Sequence, residues 1–189
     1  MRYPKPNARA GFALAGVAAA AGLITGFVVR ARGRQVVAMA AEPLLGDWLD
    51  VIKTQHLEAL EVAEKLEETK PRATARRAAL LTKLRLMLTR HAVEEENVLY
   101  PALRVAAGAA EAHALAGEHA DVKAALYELE LMAADDAAFK PRVRALREQM
   151  EAHMLREETE IFPALRQRLS PEEDAALTAM LHREGRLIT

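Results

Sequence analysis

The stretch HAVEEENVLYPAL, His91 to Leu103, is answered by HMLREETEIFPAL, His153 to Leu165. Each begins on a His with a Glu four residues later and a second Glu beside it, and each closes on aromatic-Pro-Ala-Leu. The repeat is wider than the phrase. His91 and His153 stand 62 residues apart in the sequence, and His56 and His119 stand 63 apart. The chain therefore reads as two helical hairpins of one design, each with a His on its first helix and a His-x-x-x-Glu on its second.

The surrounding pattern supports helices throughout. Apolar residues make up 51% of the chain and aromatics only 4%, with Ala and Leu dominant, a composition that favours helix. No strand-like alternation appears. The periodicity predicts helices over about 44–69, 73–106, 110–133 and 141–169, with a short fifth from Pro171 behind a Ser170 N-cap. Short links between four helices predict an all-α, up-down-up-down four-helix bundle. Pro101 and Pro163 fall late in the second and fourth helices, where each removes a backbone hydrogen bond and loosens or kinks the helix at the same distance past the same His.

Residues four apart share a helix face, so His91 lies with Glu95 and His153 with Glu157. The same stripes carry Leu84, Leu88 and Leu99 on the second helix, and Leu146, Met150 and Ile161 on the fourth. His56 shares a stripe with Leu49, Ile52, Leu60 and Ala63, and His119 with Leu115, Val122 and Leu126. Four imidazoles and two carboxylates are thus aimed at an apolar core. Burying carboxylates there is costly unless cations compensate. Nitrogen and oxygen ligands without sulfur suit iron, manganese or zinc. The candidate metal residues are His56, His91, Glu95, His119, His153 and Glu157, with the two carboxylates able to bridge two ions. His113 falls on the wrong face, about 240° round from His119. It is read as solvated surface, and so is His182. Glu94, Glu96, Glu158 and Glu160 are read as exposed, with Glu96 or Glu158 the candidate for an outer contact.

Other chemistries are narrowed by composition. With no Cys, disulfides, thiolate metal sites and a cysteine nucleophile are excluded. None of the six His has a Glu three residues before it, so the Glu-x-x-His signature of ferritin-like bundles is missing, as is HExxH. The chain has 26 Lys and Arg against 27 Asp and Glu, but six of the basic residues and none of the acidic ones lie before residue 35. The remaining body has 20 basic and 27 acidic residues, a net of −7, which disfavours nucleic acid as a partner.

Residues 10–29, AGFALAGVAAAAGLITGFVV, run twenty residues without a charge between basic flanks. As a helix this is about 30 Å long, enough to cross a bilayer. A cleaved secretory signal fits less well, because RARGR stands between the apolar run and Ala38-Met39-Ala40. The expected organisation is a basic tail at 1–9, a transmembrane helix at 10–29, a linker at 30–43 and the bundle at 44–189. The dense basic cluster after the run favours an inner-membrane protein with its body in the cytoplasm. Gly22 and Gly26 form a GxxxG through which two such helices can approach as a homodimer.

One His on the first helix, HxxxE on the second, one His on the third and HxxxE on the fourth resemble the hemerythrin-like HHE cation-binding domain, over about residues 45–170. That resemblance implies a bundle holding a non-haem di-iron centre, with the same six residues as ligands. The family's oxygen carriers have a further His where this chain has Leu115, and a His-x4-Asp where it has His153-x3-Glu157. The resemblance thus points to the wider His-x3-Glu branch and implies binding or sensing of dioxygen, peroxide, nitric oxide or iron. An enzyme consuming peroxide or another small oxidant is the alternative, and a metal-free helical adaptor a third.

Overall fold

The computed structural model describes residues 46–133 and 136–188. The membrane helix expected at 10–29, with its tail and linker, lies outside the described residues. Among the described residues no helix is long and apolar enough to cross a membrane.

The described chain is helical, without a strand. Helix α1 spans Trp48–Glu67, α2 Thr74–Glu94, α3 Tyr100–Ala107, α4 Ala109–Leu131, α5 Phe139–Arg156, α6 Phe162–Arg166 and α7 Pro171–Gly185. Two π-helical turns, Glu95–Leu99 and Glu157–Ile161, join α2 to α3 and α5 to α6 without a break. Four long helical stretches result. α1 packs on α2 and α5, and α4 packs on α3 and α5.

The ends of these elements follow from local chemistry. Asp47 caps α1 by accepting from the backbone N–H groups of Leu49 and Asp50, and Gly46 before it takes a φ of 72°. Gly108, at φ 99°, makes the turn between α3 and α4, a backbone state that a side chain would strain. Ser170 caps α7 with Pro171 in its first turn, as the sequence predicts, and Glu173 completes a reciprocal capping box.

The prolines act differently from a simple kink. Each stands two residues past the end of a π turn, and the backbone N–H of Tyr100 bonds to the carbonyl of Glu95, five residues back, as Phe162 does to Glu157. Widening the turn is a known way to absorb a missing i→i−4 bond, and such bulges cluster at functional sites.

Two apolar clusters divide the interior. One contains Ala59, Val62, Leu84, Leu88, Val122, Leu126, Leu146 and Met150 among others. The second contains Trp48, Ile52, Val98, Leu99, Leu115, Ile161 and Phe162. On every long stretch a candidate His falls between the clusters: His56 between Ile52 and Ala59, His119 between Leu115 and Val122. The polar centre is a layer with apolar packing on both sides. Helix α7 closes the second end: Trp48 Nε1 donates to Asp174 at 2.6 Å and Arg166 links Asp174 to Asp47.

Candidate metal centre

All six candidate residues are buried, and Glu95 and Glu157 are fully so. Two groups satisfy metal-like proximity, with one ligand atom per residue and all such atoms within 4.8 Å of one another. They are His91, Glu95, His119 and His153, and His56, His91, Glu95 and Glu157. His91 and Glu95 belong to both.

The contacts between them are all made by inward atoms. His91 Nε2 and His119 Nε2 lie 3.3 and 3.2 Å from Glu95 Oε2. His56 Nε2 and His153 Nε2 lie 3.4 and 3.3 Å from Glu157 Oε2. The rings pair as His56 with His91, centroids 4.7 Å apart, and His119 with His153, 4.8 Å apart.

The outer nitrogens explain the orientation. Nδ1 of His56 meets Glu158 at 2.7 Å, that of His91 meets Gln55 at 3.1 Å, that of His119 meets Glu96 at 3.0 Å and that of His153 meets Glu118 at 2.6 Å. Each outer partner accepts, so each Nδ1 carries the proton and each Nε2 turns its lone pair inward. The consequence is an excess of acceptors. Nε2 of His56 and His91, Oε1 of Glu95 and Oε2 of Glu157 are buried without a hydrogen-bond partner. Nε2 of His119 and His153 face each other at 3.1 Å. Among the described residues only one hydroxyl is directed at them: Tyr100 Oη is 2.9 Å from Glu157 Oε1, 3.1 Å from Glu95 Oε2 and 3.2 Å from His119 Nε2. It has one proton for three acceptors. Cations resolve that imbalance, so the donor set fits a buried metal centre.

Burial and the mutual charges of the cluster set its protonation tendencies. Burial, then the charge of Glu157, holds the Glu95 carboxyl well above its ordinary 4.5. Burial, reinforced by the other three imidazoles, holds His91 well below 6.5. For His153 burial outweighs the attraction of Glu157 and Glu118, and the shift is downward. For His56 burial is opposed by Glu157, Glu95 and Glu158, which prevail and raise it. Tyr100 is driven far above its ordinary 10.0 by burial and by both carboxylates, so it stays a hydroxyl donor.

Some polar positions differ from the sequence reading. Glu94, expected to be exposed, is 1% exposed; it accepts from Arg90 and from Gln55. Glu96 and Glu158 are only part-exposed and both hold imidazoles. Glu160 and His113 are exposed as expected. His182 is part-buried and lies 3.1 Å from the Gly46 carbonyl. The residues that sequence reasoning passed over are Tyr100, Gln55 and Glu118. Gln55 and Glu118 carried a signal, since each immediately precedes a repeat His. Tyr100 carried none under α-helical geometry, where five residues past Glu95 is about 140° off its face. The π turn brings it back.

A cavity of about 20 Å³ touches the His91, His119 and His153 side of the cluster; Leu88, Val122, Met150 and Met154 line the rest of it together with Ala92 and Lys123. It holds about one water-sized molecule.

Helices, inward imidazoles and orphaned carboxylate oxygens define a cation-binding helical bundle. The family profile described as the hemerythrin HHE cation binding domain matches residues 48–165. The chain belongs to that family. It is 36% identical over 86 residues to a DNA nickase of Nostoc, covering 46% of this chain and 24% of that protein. It is 32% identical over 105 residues to an uncharacterized hemerythrin-like protein of Schizosaccharomyces pombe, covering 53% of this chain and 51% of that one. The chain thus spans about a quarter and about half the length of these relatives. No solved structure matches it significantly.

Proposed function

We propose that the bundle holds two iron ions and uses them to bind or sense a small oxidant, dioxygen or its relatives peroxide and nitric oxide. The observation that carries this reading is the set of inward, unpartnered Nε2 and carboxylate oxygens shared by four helical stretches. His56 with His91, and His119 with His153, would hold the ions together with Glu95 and Glu157. Iron held there would supply the redox chemistry toward such a small molecule. The protein's own part is confinement and polarity. Leu88, Val122, Met150 and Met154 keep the approach apolar and too small for a larger substrate, while the Tyr100 hydroxyl offers a hydrogen bond at the bridging carboxylates.

Anaerobic loading with ferrous iron followed by rapid mixing tests the reading. Two irons per chain and a new near-ultraviolet and visible absorption on exposure to dioxygen, nitric oxide or peroxide are expected. One iron, or none, would count against it. Catalytic loss of many equivalents of peroxide would instead favour the enzymatic alternative.

The proposal includes the membrane helix at 10–29, supported by its uncharged length between basic flanks, with the body on the cytoplasmic side and helix pairing through Gly22 and Gly26. Recovery of the full chain in the soluble fraction after membrane sedimentation would overturn this part. DNA nicking belongs to the Nostoc relative, only 24% of which is matched, and the acidic body speaks against nucleic acid here.

A further inference from the structure

The outer partners of the four imidazoles repeat between the two hairpins with a single chemical exception. Glu96 and Glu158, each next to a bridging Glu, accept from His119 and His56 of the opposite hairpins. Glu118, immediately before His119, accepts from His153 at 2.6 Å. The equivalent residue before His56 is Gln55, and it accepts from His91 at 3.1 Å. Three imidazoles are thus backed by a carboxylate and one by an amide.

The amide is fixed in orientation. Its Nε2 lies 2.6 Å from Glu94 Oε2. A carboxylate accepts, so the amide nitrogen faces Glu94 and Gln55 Oε1 faces His91. Glu94 is buried and its other oxygen accepts from Arg90 Nε at 2.8 Å. Negative charge therefore stands one amide further from His91 than from the other three rings. On the opposite hairpin Arg156 pairs with Glu118 at 2.9 Å, but both side chains are about one third exposed, so solvent screens that pairing. A carboxylate behind an imidazole raises the basicity of its metal-binding nitrogen, and loss of such a partner typically changes metal affinity about 10–100-fold.

We infer that the two metal positions are unequal: the His119–His153 position fills first, and the His56–His91 position is the weaker because Gln55, a positioning residue, stands where the repeat has a carboxylate. The inference rests on the two-metal reading above.

Titration of the apo full chain with Co(II), followed by visible absorption under anaerobic conditions, tests it. The expected result is two steps, the second at least about tenfold weaker. Glu118→Gln should weaken the first step and draw the two together. Gln55→Ala should weaken the second step alone. Uptake of two Co(II) with one affinity, or a Glu118→Gln protein with the original separation, would overturn the inference. Uptake of fewer than two Co(II) per chain would overturn the two-metal reading instead.

Discussion

Replacing Tyr100 by Phe removes one hydroxyl and little else, because the repeat already places a Phe ring, Phe162, at the equivalent position. The deleted proton belongs to the hydroxyl directed among Glu95, Glu157 and His119, at 3.1, 2.9 and 3.2 Å. Leaving a buried acceptor without its donor costs about 1–3 kcal/mol. For a chain of this size each kcal/mol moves the melting temperature by about 2–4 °C, so the apo protein should melt about 2–12 °C lower. With metal bound, the carboxylates are held by the ions, and the loss should be smaller. Thermal unfolding followed by circular dichroism, on apo and loaded protein at pH 7, measures both values. Phe162→Tyr is the control. Its ring is fully buried and lies edge-on to Trp48 at 5.7 Å, within the second apolar cluster. A hydroxyl added there should destabilise apo and loaded protein alike. An unchanged apo melting temperature for Tyr100→Phe, or an equal loss with and without metal, would refute the role assigned to that proton.

Glu95→Ala and Glu157→Ala should abolish stable metal retention. Glu96→Ala and Glu158→Ala, which remove only the outer partners of His119 and His56, should weaken it about 10–100-fold; metal content after desalting against a weak chelator separates the two classes, and equal losses from all four would show that the inward stripe is misassigned. In the apo protein Glu95 is raised above 4.5, so its contribution to stability is present below that value and is lost as pH rises through the folded value. His91 is depressed below 6.5, so its contribution is present above 6.5 and is lost as pH falls. Metal requires the deprotonated forms of both. The gap in melting temperature between loaded and apo protein should therefore widen from pH 5 to pH 8; a gap that is constant or narrows contradicts the assignment. Leu84, fully buried in the first cluster, should cost about 2–5 kcal/mol when changed to Ala, read from chemical denaturation.

The repeat in the sequence carried most of the centre. A helical period of 3.6 residues aims His91 and Glu95 the same way whatever the rest of the fold does, and the structure brings all six candidate residues together. The Ser170 N-cap before Pro171 was legible for a similar reason, being confined to adjacent residues, while its reciprocal partner Glu173 was not singled out. What sequence could not supply depends on departures from that period or on neighbours distant in the chain. The π turns shift every residue after Glu95 and Glu157, so Tyr100 is invisible to α-helical arithmetic. Glu94 is adjacent to a ligand in sequence, and one step round the helix predicts solvent. In the fold it is covered by α1 through Gln55, and Gly185 of α7 lies so close that a Cβ there would run into its carboxylate. The start of α1 at Trp48 depends on Asp47, a cap not singled out by the pattern of apolar residues.

The position of the polar layer between two apolar clusters bears on how the bundle opens. Each cluster is sealed on its own, one around Leu84, Val143 and Met150 and the other around Trp48, Leu99 and Phe162. The helices run through both, but between them lie the imidazoles and carboxylates, several of whose inner atoms lack a hydrogen-bond partner. Bound ions would act as rivets between two separately packed blocks. Without them the middle of each helix is the softest stretch, and the blocks can exchange their amide hydrogens as two units instead of one. Hydrogen exchange of the apo protein would then resolve two protection levels, with the break at His56, His91, His119 and His153, and metal would merge them.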